Sequence, residues 1–208
     1  MAPSGPVVFV VDDDASVRKS LARLVRTAGY DAEAFATVSD FLDRPPQEGP
    51  ACLLLDVRMP GRTGLDLQEA LRAAGRRLSI IFISGYGDVR ASVKAMKGGA
   101  IDFLTKPLDE GALLTAIAQA VARTLEEQRE QSRVTEVRDC ITTLTPREAE
   151  VFALVVTGML NKQIGAELGI AEKTVKIHRG QVMQKMEAGS VAELVPMTQK
   201  LGPPGSRP

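Results

Sequence analysis

The segment LLLDVRMPG, Leu53–Gly61, is an apolar run that stops at an acid, Asp56, and then turns through Pro60 and Gly61. Three other segments share this form: VVFVVDDD at Val7–Asp14, IIFISG at Ile80–Gly85 and DFLTKP at Asp102–Pro107. Their stops are Asp12 and Asp13, Ser84, and Lys106. Apolar runs this short, bounded by loop residues and alternating with helical stretches, read as strands buried on both faces, and so as a parallel sheet. In such sheets the functional groups gather at the carboxyl ends of the strands. Three acids, a hydroxyl and an amine are therefore expected in one crevice.

Helical stretches separate these runs. Ala15–Ala28 carries Val17, Leu21, Leu24 and Val25 on one face, and Gly29 ends it. Ala34–Ala36 reads as a short strand. Ser39 opens a helix that breaks at Pro45 and Pro46. Leu65–Ala74 and Asp88–Lys97 repeat the pattern, the latter ended by Gly98 and Gly99. The alternation recurs about five times, and right-handed crossovers then give a doubly wound, five-stranded parallel sheet.

From Asp109 to Thr143 there is no proline, and the only glycine is Gly111. Leu114, Ile117, Val121 and Leu125 form a helical stripe. A polar stretch follows, with Glu126–Arg129 and Glu130–Arg133 at helical spacing, and then Val134, Val137 and Ile141. This reads as one long helix leaving the first domain and serving as linker; about 30 residues would reach ~45 Å. A flexible charged linker is the alternative. Beyond it, Thr145 as N-cap, Pro146 at the first helical position and Glu148 three residues after the cap form a capping box. That helix runs to about Thr157. Asn161 caps a short helix through Leu168, Gly169-Ile170-Ala171 makes a tight turn, and a longer helix covers Glu172–Met186. Ser190 caps a fourth helix. Two short helices joined through a glycine turn are a helix-turn-helix. The expected organisation is an α/β domain at 1–122, a helical linker at 123–142 and an all-α four-helix domain at 143–208. The tail from Gly202 (GPPGSRP) reads as disordered.

With 44% apolar and 25% charged residues the chain is globular. No apolar run approaches the ~20 residues of a membrane span, and MAPSGP lacks the features of a signal peptide. Two cysteines, Cys52 and Cys140, make no disulfide framework. A cytoplasmic location is expected. The net charge of zero hides one concentration: Lys173–Met186 holds Lys173, Lys176, Arg179 and Lys185 and no acid. A local basic helix can bind DNA where global charge says nothing.

The acidic crevice suits a phosphoaspartate. Neighbouring acids hold a divalent cation, Mg²⁺ or Mn²⁺, that screens the phosphoryl group. One Asp is the nucleophile, a lysine pairs with the phosphoryl oxygens and a hydroxyl senses them. Asp56, ending the central strand, is the nucleophile; Asp12 and Asp13 are the metal acids, with Asp13 the direct ligand. Lys106 and Ser84 take the remaining parts, and Asp14 faces the helix start as a cap. Each residue alone has an ordinary explanation as a cap or turn; their order along the chain supports the functional one.

In Glu172–Met186 a 100° step places Val175, Val182 and Met186 on one face, packed inward. Lys173, Lys176, Ile177, Gly180 and Gln184 lie opposite. An isoleucine and two lysines facing outward suit a major groove, where Lys meets guanine acceptors and Ile a thymine methyl. Thr174 and Lys162 suit phosphates, and Arg179 adds charge. His178 falls at the edge of the buried face, as a packing or phosphate-facing residue. Gly180 costs ~1 kcal/mol relative to Ala in a helix interior; it allows close backbone approach to DNA or is simply tolerated. Ala171, at the cap position, offers no side-chain acceptor.

Residues 6–122 resemble the receiver domain of two-component response regulators, with its CheY-like, flavodoxin-like fold. Residues 144–201 resemble the LuxR-type helix-turn-helix. The combination is similar to the NarL/FixJ subfamily, and DVRMPG, SGYGDV and FLTKP look closest to FixJ-like regulators. The resemblance implies phosphotransfer from a sensor histidine kinase to Asp56, with the Arg58 backbone carbonyl as a further metal ligand. It implies that Ser84 and Phe103 switch together. Ser84 stands where Thr is commoner, and Phe103 where Tyr is; both weaken a sharp two-state switch. Arg58 and Tyr86 match positions that affect self-dephosphorylation, and their bulk predicts a long-lived phosphoform.

The chain is thus expected to be a promoter-binding regulator, an activator, that works with RNA polymerase and catalyses only its own phosphorylation and dephosphorylation. Phosphorylation is expected to drive homodimerisation through the Asp88–Lys97 helix, the Ile101–Thr105 strand and the following helix, with Arg90, Val93 and Lys97 in contact. Two rivals remain open. An aspartyl phosphatase would use the Asp12/Asp14 spacing but leave Asp56 unexplained. A phosphorylation-independent regulator would use the receiver only to dimerise.

Overall fold

The computed structural model describes residues 5–47, 49–76, 78–85 and 89–199. Tyr86, the start of the expected Asp88–Lys97 helix and the tail from Gly202 lie outside them. The chain divides into two compact units after Gln128. Helix α5, Glu110–Thr142, links them.

In the first unit the five strands are β1 Val7–Val11, β2 Asp31–Phe35, β3 Ala51–Asp56, β4 Ser79–Ser84 and β5 Asp102–Thr105. They form one parallel sheet in the order β2-β1-β3-β4-β5. Every residue of β1, β3 and β4 is buried, because helices cover both faces. Phe9, Leu53, Leu55 and Phe82 face α2 (Val38–Leu42), α3 (Gly64–Ala73) and α4 (Val89–Lys97). Val8, Val10, Leu54, Ile81 and Ile83 face α1 (Ala15–Thr27) and Leu113, Ile117 and Val121 of α5. Each fully buried Leu, Ile or Phe contributes about 1.5–3 kcal/mol, so the continuous apolar runs are the main support of the sheet.

The departures from the expected elements are local. β2 covers Asp31–Phe35 rather than Ala34–Ala36. It is an edge strand, where Asp31 and Glu33 are exposed and break the apolar signal. The second helix starts at Val38 with Thr37 as its cap: Thr37 Oγ1 accepts from Asp40 N–H at 3.1 Å. Thr63 and Asp66 cap α3 reciprocally, so it begins at Gly64. First-unit packing continues past residue 122. Thr124 is buried, and its hydroxyl reaches the Ala51 carbonyl at 2.9 Å and Ser79 Oγ at 3.0 Å.

The second unit packs α6 Pro146–Val155, α7 Asn161–Leu168, α8 Glu172–Lys185 and α9 Val191–Gln199 around Val151, Phe152, Ile164, Val175, Val182 and Leu194. Val137, Cys140 and Ile141 of α5 join that core. The α6 capping box is formed as expected, but the helix ends at Val155. Asn161 is not a cap. Leu160 holds that place, and its N–H donates to Gln163 Oε1 at 2.9 Å. Gly169 ends α7 with φ +66. Gly165 is needed for the turn, because a Cβ there would lie 2.8 Å from the Ile170 carbonyl oxygen.

Candidate functional site

The register sets the first site. Val11 pairs with Leu55, so the next residues, Asp12 and Asp56, leave the carboxyl ends of adjacent strands together. Thr105 pairs with Ser84, and Lys106 follows, its N–H bonded to the Ser84 carbonyl at 2.7 Å. Lys106 Nζ donates to Asp12 Oδ2 at 2.9 Å and to Asp56 Oδ1 at 2.8 Å. The remaining oxygens are also held: Asp12 Oδ1 by Asp14 N–H at 2.9 Å, and Asp56 Oδ2 by Arg58 N–H at 2.6 Å. Both acids are nearly inaccessible, at 1% and 5% exposure. Burial pushes the Asp56 carboxyl above its ordinary value, against the pull of Lys106 and the Arg58 N–H. Burial also pulls Lys106 down, but its bonds to Asp56 and Asp12 outweigh this and hold the ammonium above its ordinary value. Asp56 is thereby a more basic carboxylate than an exposed one, while an adjacent cation stands ready for an anionic reactant.

Ser84 is 1% exposed and, among the described residues, its Oγ has no hydrogen-bond partner. Such a hydroxyl is costly to leave buried, and it stands on the strand next to Asp56. Phe103 is half-buried and stacks on Phe82 with ring centroids 6.3 Å apart. Gly64 lies against the same strand end. A Cβ there would come within 2.2 Å of the Asp56 carbonyl oxygen. Neither Gly64 nor Arg18, which bonds the acidic loop, stands out in the sequence.

The expected trio of acids is only partly assembled. Asp13 is exposed, and among the described residues no three acidic, imidazole or thiol groups converge as a ready metal cluster. Asp12 and Asp56 do converge, with Lys106 supplying the positive charge between them. Two hard carboxylates with Asp13 at the rim still fit Mg²⁺, which binds through few protein ligands and keeps several waters. Asp14 is the cap of α1, accepting from Ser16 N–H at 2.7 Å and Ser16 Oγ at 2.6 Å. Those bonds hold its carboxyl below the ordinary value.

In the second unit Lys162, Lys173, Lys176, Ile177 and Gly180 are exposed, Ile177 at 55%. Val175, Val182 and Met186 are buried, as the helical periodicity predicts. Thr174 and Arg179 are half-buried. Arg179 is oriented by its neighbour, donating to Asn161 Oδ1 at 2.8 Å. Lys185 is taken out of the basic face: its Nζ donates to buried Glu148 at 2.6 Å and to the Thr143 carbonyl at 3.0 Å. On α4, Arg90, Val93 and Lys97 are exposed beside Val89 and Met96.

Residues 8–118 match the response regulator receiver domain, and residues 142–198 the LuxR family of bacterial regulatory proteins. The chain belongs to the NarL/FixJ-type response regulators. It is 46% identical over 201 residues to nodulation protein W of Bradyrhizobium diazoefficiens, covering 97% of this chain and 88% of that one. It is 40% identical over 195 residues to transcriptional regulatory protein FixJ of Azorhizobium caulinodans, covering 94% and 92%. Among solved structures, response regulator StyR matches with TM-score 0.84 and 46% identity over 95% of this chain and 100% of that one. Full-length FixJ from B. japonicum matches with TM-score 0.58 and 35% identity over 95% and 97%. As a response regulator with these two domains, the chain acts in transcription regulation, with a sensor kinase upstream and DNA bound through the helix-turn-helix.

Proposed function

We propose that a sensor histidine kinase phosphorylates Asp56 and that the phosphorylated chain dimerises and regulates promoters, as an activator working with RNA polymerase in the cytoplasm. The convergence of Asp12, Asp56 and Lys106 is the observation that carries this reading. One Asp56 oxygen attacks phosphorus; the oxygen–phosphorus bond forms as the donor's nitrogen–phosphorus bond breaks, and its electron pair stays on the imidazole. Lys106 pairs with the incoming phosphoryl oxygens. The Ser84 hydroxyl, unpartnered among the described residues, donates to one of them. Asp12, Asp13, Asp56 and the Arg58 carbonyl would hold Mg²⁺ or Mn²⁺, which neutralises phosphoryl charge. The chain catalyses only its own phosphorylation and dephosphorylation in this reading.

Movement of Ser84 towards the phosphoryl group draws on Phe103 and shifts an existing equilibrium. The exposed stripe of Val89, Val93 and Met96, flanked by Arg90 and Lys97, supports α4 as the dimer face. Apolar side chains at this spacing share one side of a helix. Two recognition helices would then read half-sites about one turn apart. Lys173, Lys176 and Ile177 would face bases, Lys162, Thr174 and Arg179 phosphates, and Gly180 would allow close backbone approach. Among the described residues no helix is long and apolar enough to cross a membrane.

The test incubates the chain with Mg²⁺ and a small acyl phosphate and records intact mass and gel-filtration volume, with Asp56→Asn as control. One added phosphoryl group in wild type alone, with a shift to dimer, is the expected result. No phosphorylation overturns the proposal and favours a phosphorylation-independent receiver.

A further inference from the structure

We infer that Arg18 is a positioning residue for the acidic crevice, setting the carboxylate geometry on which cation binding depends; this rests on Asp56 being the phosphoacceptor. Arg18 lies on α1, four residues beyond its cap Asp14, and is half-buried. Its Nη1 donates to the Asp12 carbonyl at 2.7 Å and to the Asp13 carbonyl at 2.9 Å. These two carbonyls belong to the loop that leaves β1, beyond the regular strand.

Peptide planarity turns those bonds into control of the site. The Asp13 carbonyl and the Asp14 N–H lie in one rigid plane. Holding the carbonyl on Arg18 aims the N–H, and that N–H donates to Asp12 Oδ1 at 2.9 Å. The other Asp12 oxygen accepts from Lys106, which also bonds Asp56. A chain of hydrogen bonds therefore runs from Arg18 through one peptide plane to Asp12, Lys106 and Asp56. The Asp12–Asp13 plane is set in the same way, and with it the backbone that presents the Asp13 side chain. Asp14 closes the loop by capping the helix that carries Arg18. A guanidinium suits this double contact, because one terminal nitrogen, always charged and with both hydrogens held in the guanidinium plane, serves the two neighbouring carbonyls.

A tie that only stabilised the loop would change stability and leave metal affinity alone. Supports behind metal ligands affect affinity by about 10–100-fold. The experiment uses full-length wild type, Arg18→Met and Arg18→Lys. Mn²⁺ affinity is read by the electron paramagnetic resonance of free Mn²⁺. Phosphorylation by a small acyl phosphate, which needs no kinase docking, is followed by intact mass at low and saturating Mg²⁺. Tyrosine fluorescence during urea unfolding establishes that each variant is folded. Arg18→Met is expected to weaken Mn²⁺ binding about tenfold. It should slow phosphorylation at low Mg²⁺ and approach the wild-type rate at saturation. Arg18→Lys, retaining the charge on a side chain one atom shorter than the reach of Nη1, should fall between them. Folded Arg18→Met with wild-type Mn²⁺ affinity overturns the inference. If that variant does not fold, wild-type affinity in Arg18→Lys overturns it instead. A wild type that neither binds Mn²⁺ nor gains a phosphoryl group refutes the phosphoacceptor reading, which is a separate failure.

Discussion

Replacing Lys106 by Met leaves Asp12 and Asp56 facing each other without their cation. The ammonium lies 2.9 and 2.8 Å from them. At an effective dielectric constant near 20 each attraction is about 6 kcal/mol, most of it offset by the desolvation of the charges. Removing one partner of a buried pair typically costs about 3–5 kcal/mol net. The Lys106 side chain is 30% exposed, which favours the low end, about 3 kcal/mol. Protonation sets a ceiling: a carboxyl with the ordinary value of 3.8 takes a proton at pH 7 for about 4.4 kcal/mol. Asp56 already sits above its unfolded value, and in the variant its folded-state value is raised further. The added penalty is therefore absent below the unfolded value and complete once pH exceeds the raised one. Between pH 7 and pH 5 the deficit relative to wild type should shrink by about 1.4 kcal/mol per unit wherever the variant holds one extra proton. Tyr30 and Tyr86 are the only tyrosines, both precede Gln128, and the chain has no Trp. Tyrosine fluorescence in urea thus reports the first unit. Saturating Mg²⁺ should restore part of the loss. A deficit unchanged across pH and Mg²⁺ refutes the electrostatic account and assigns Lys106 to packing alone.

Ala171→Ser supplies the acceptor that the α8 N-terminus lacks and should stabilise the second unit by about 1 kcal/mol; a urea transition followed by circular dichroism that does not rise contradicts this. Gly64→Ala puts a Cβ 2.2 Å from the Asp56 carbonyl oxygen and should cost about 3 kcal/mol, read on tyrosine fluorescence; a neutral variant would mean that the strand end yields freely. Gly180→Ala meets nothing within 4 Å, so the free protein should gain about 1 kcal/mol while promoter affinity falls in a fluorescence-anisotropy titration. Unchanged affinity would remove Gly180 from the DNA contact.

Periodicity and chain stops made much of this protein legible along the chain. Asp56 and Lys106 were legible because each ends or follows a buried apolar run. The two faces of α8 were legible because a helix repeats every 3.6 residues. Thr145, Pro146 and Glu148 announced α6 through chemistry confined to a few neighbouring residues. The weaker signals failed for the same reason. An edge strand with exposed acids lacks the continuous apolar run, and Leu160 at a cap position advertises nothing.

Tertiary structure alone decided which distant groups meet. Strand register brings Lys106 between acids 94 and 50 positions away. Adjacency in the sequence placed Asp13 with Asp12, yet folding buries Asp12 and leaves Asp13 exposed. Lys185 looks like part of a basic DNA-binding helix until packing joins it to Glu148. Arg18 looks like an ordinary helix charge until the turn of the chain brings two carbonyls to it. Local hydrogen bonds and hydrophobic periodicity repeat over a few residues and can be read along the chain; contacts between remote segments depend on how whole elements pack, and no short stretch encodes them.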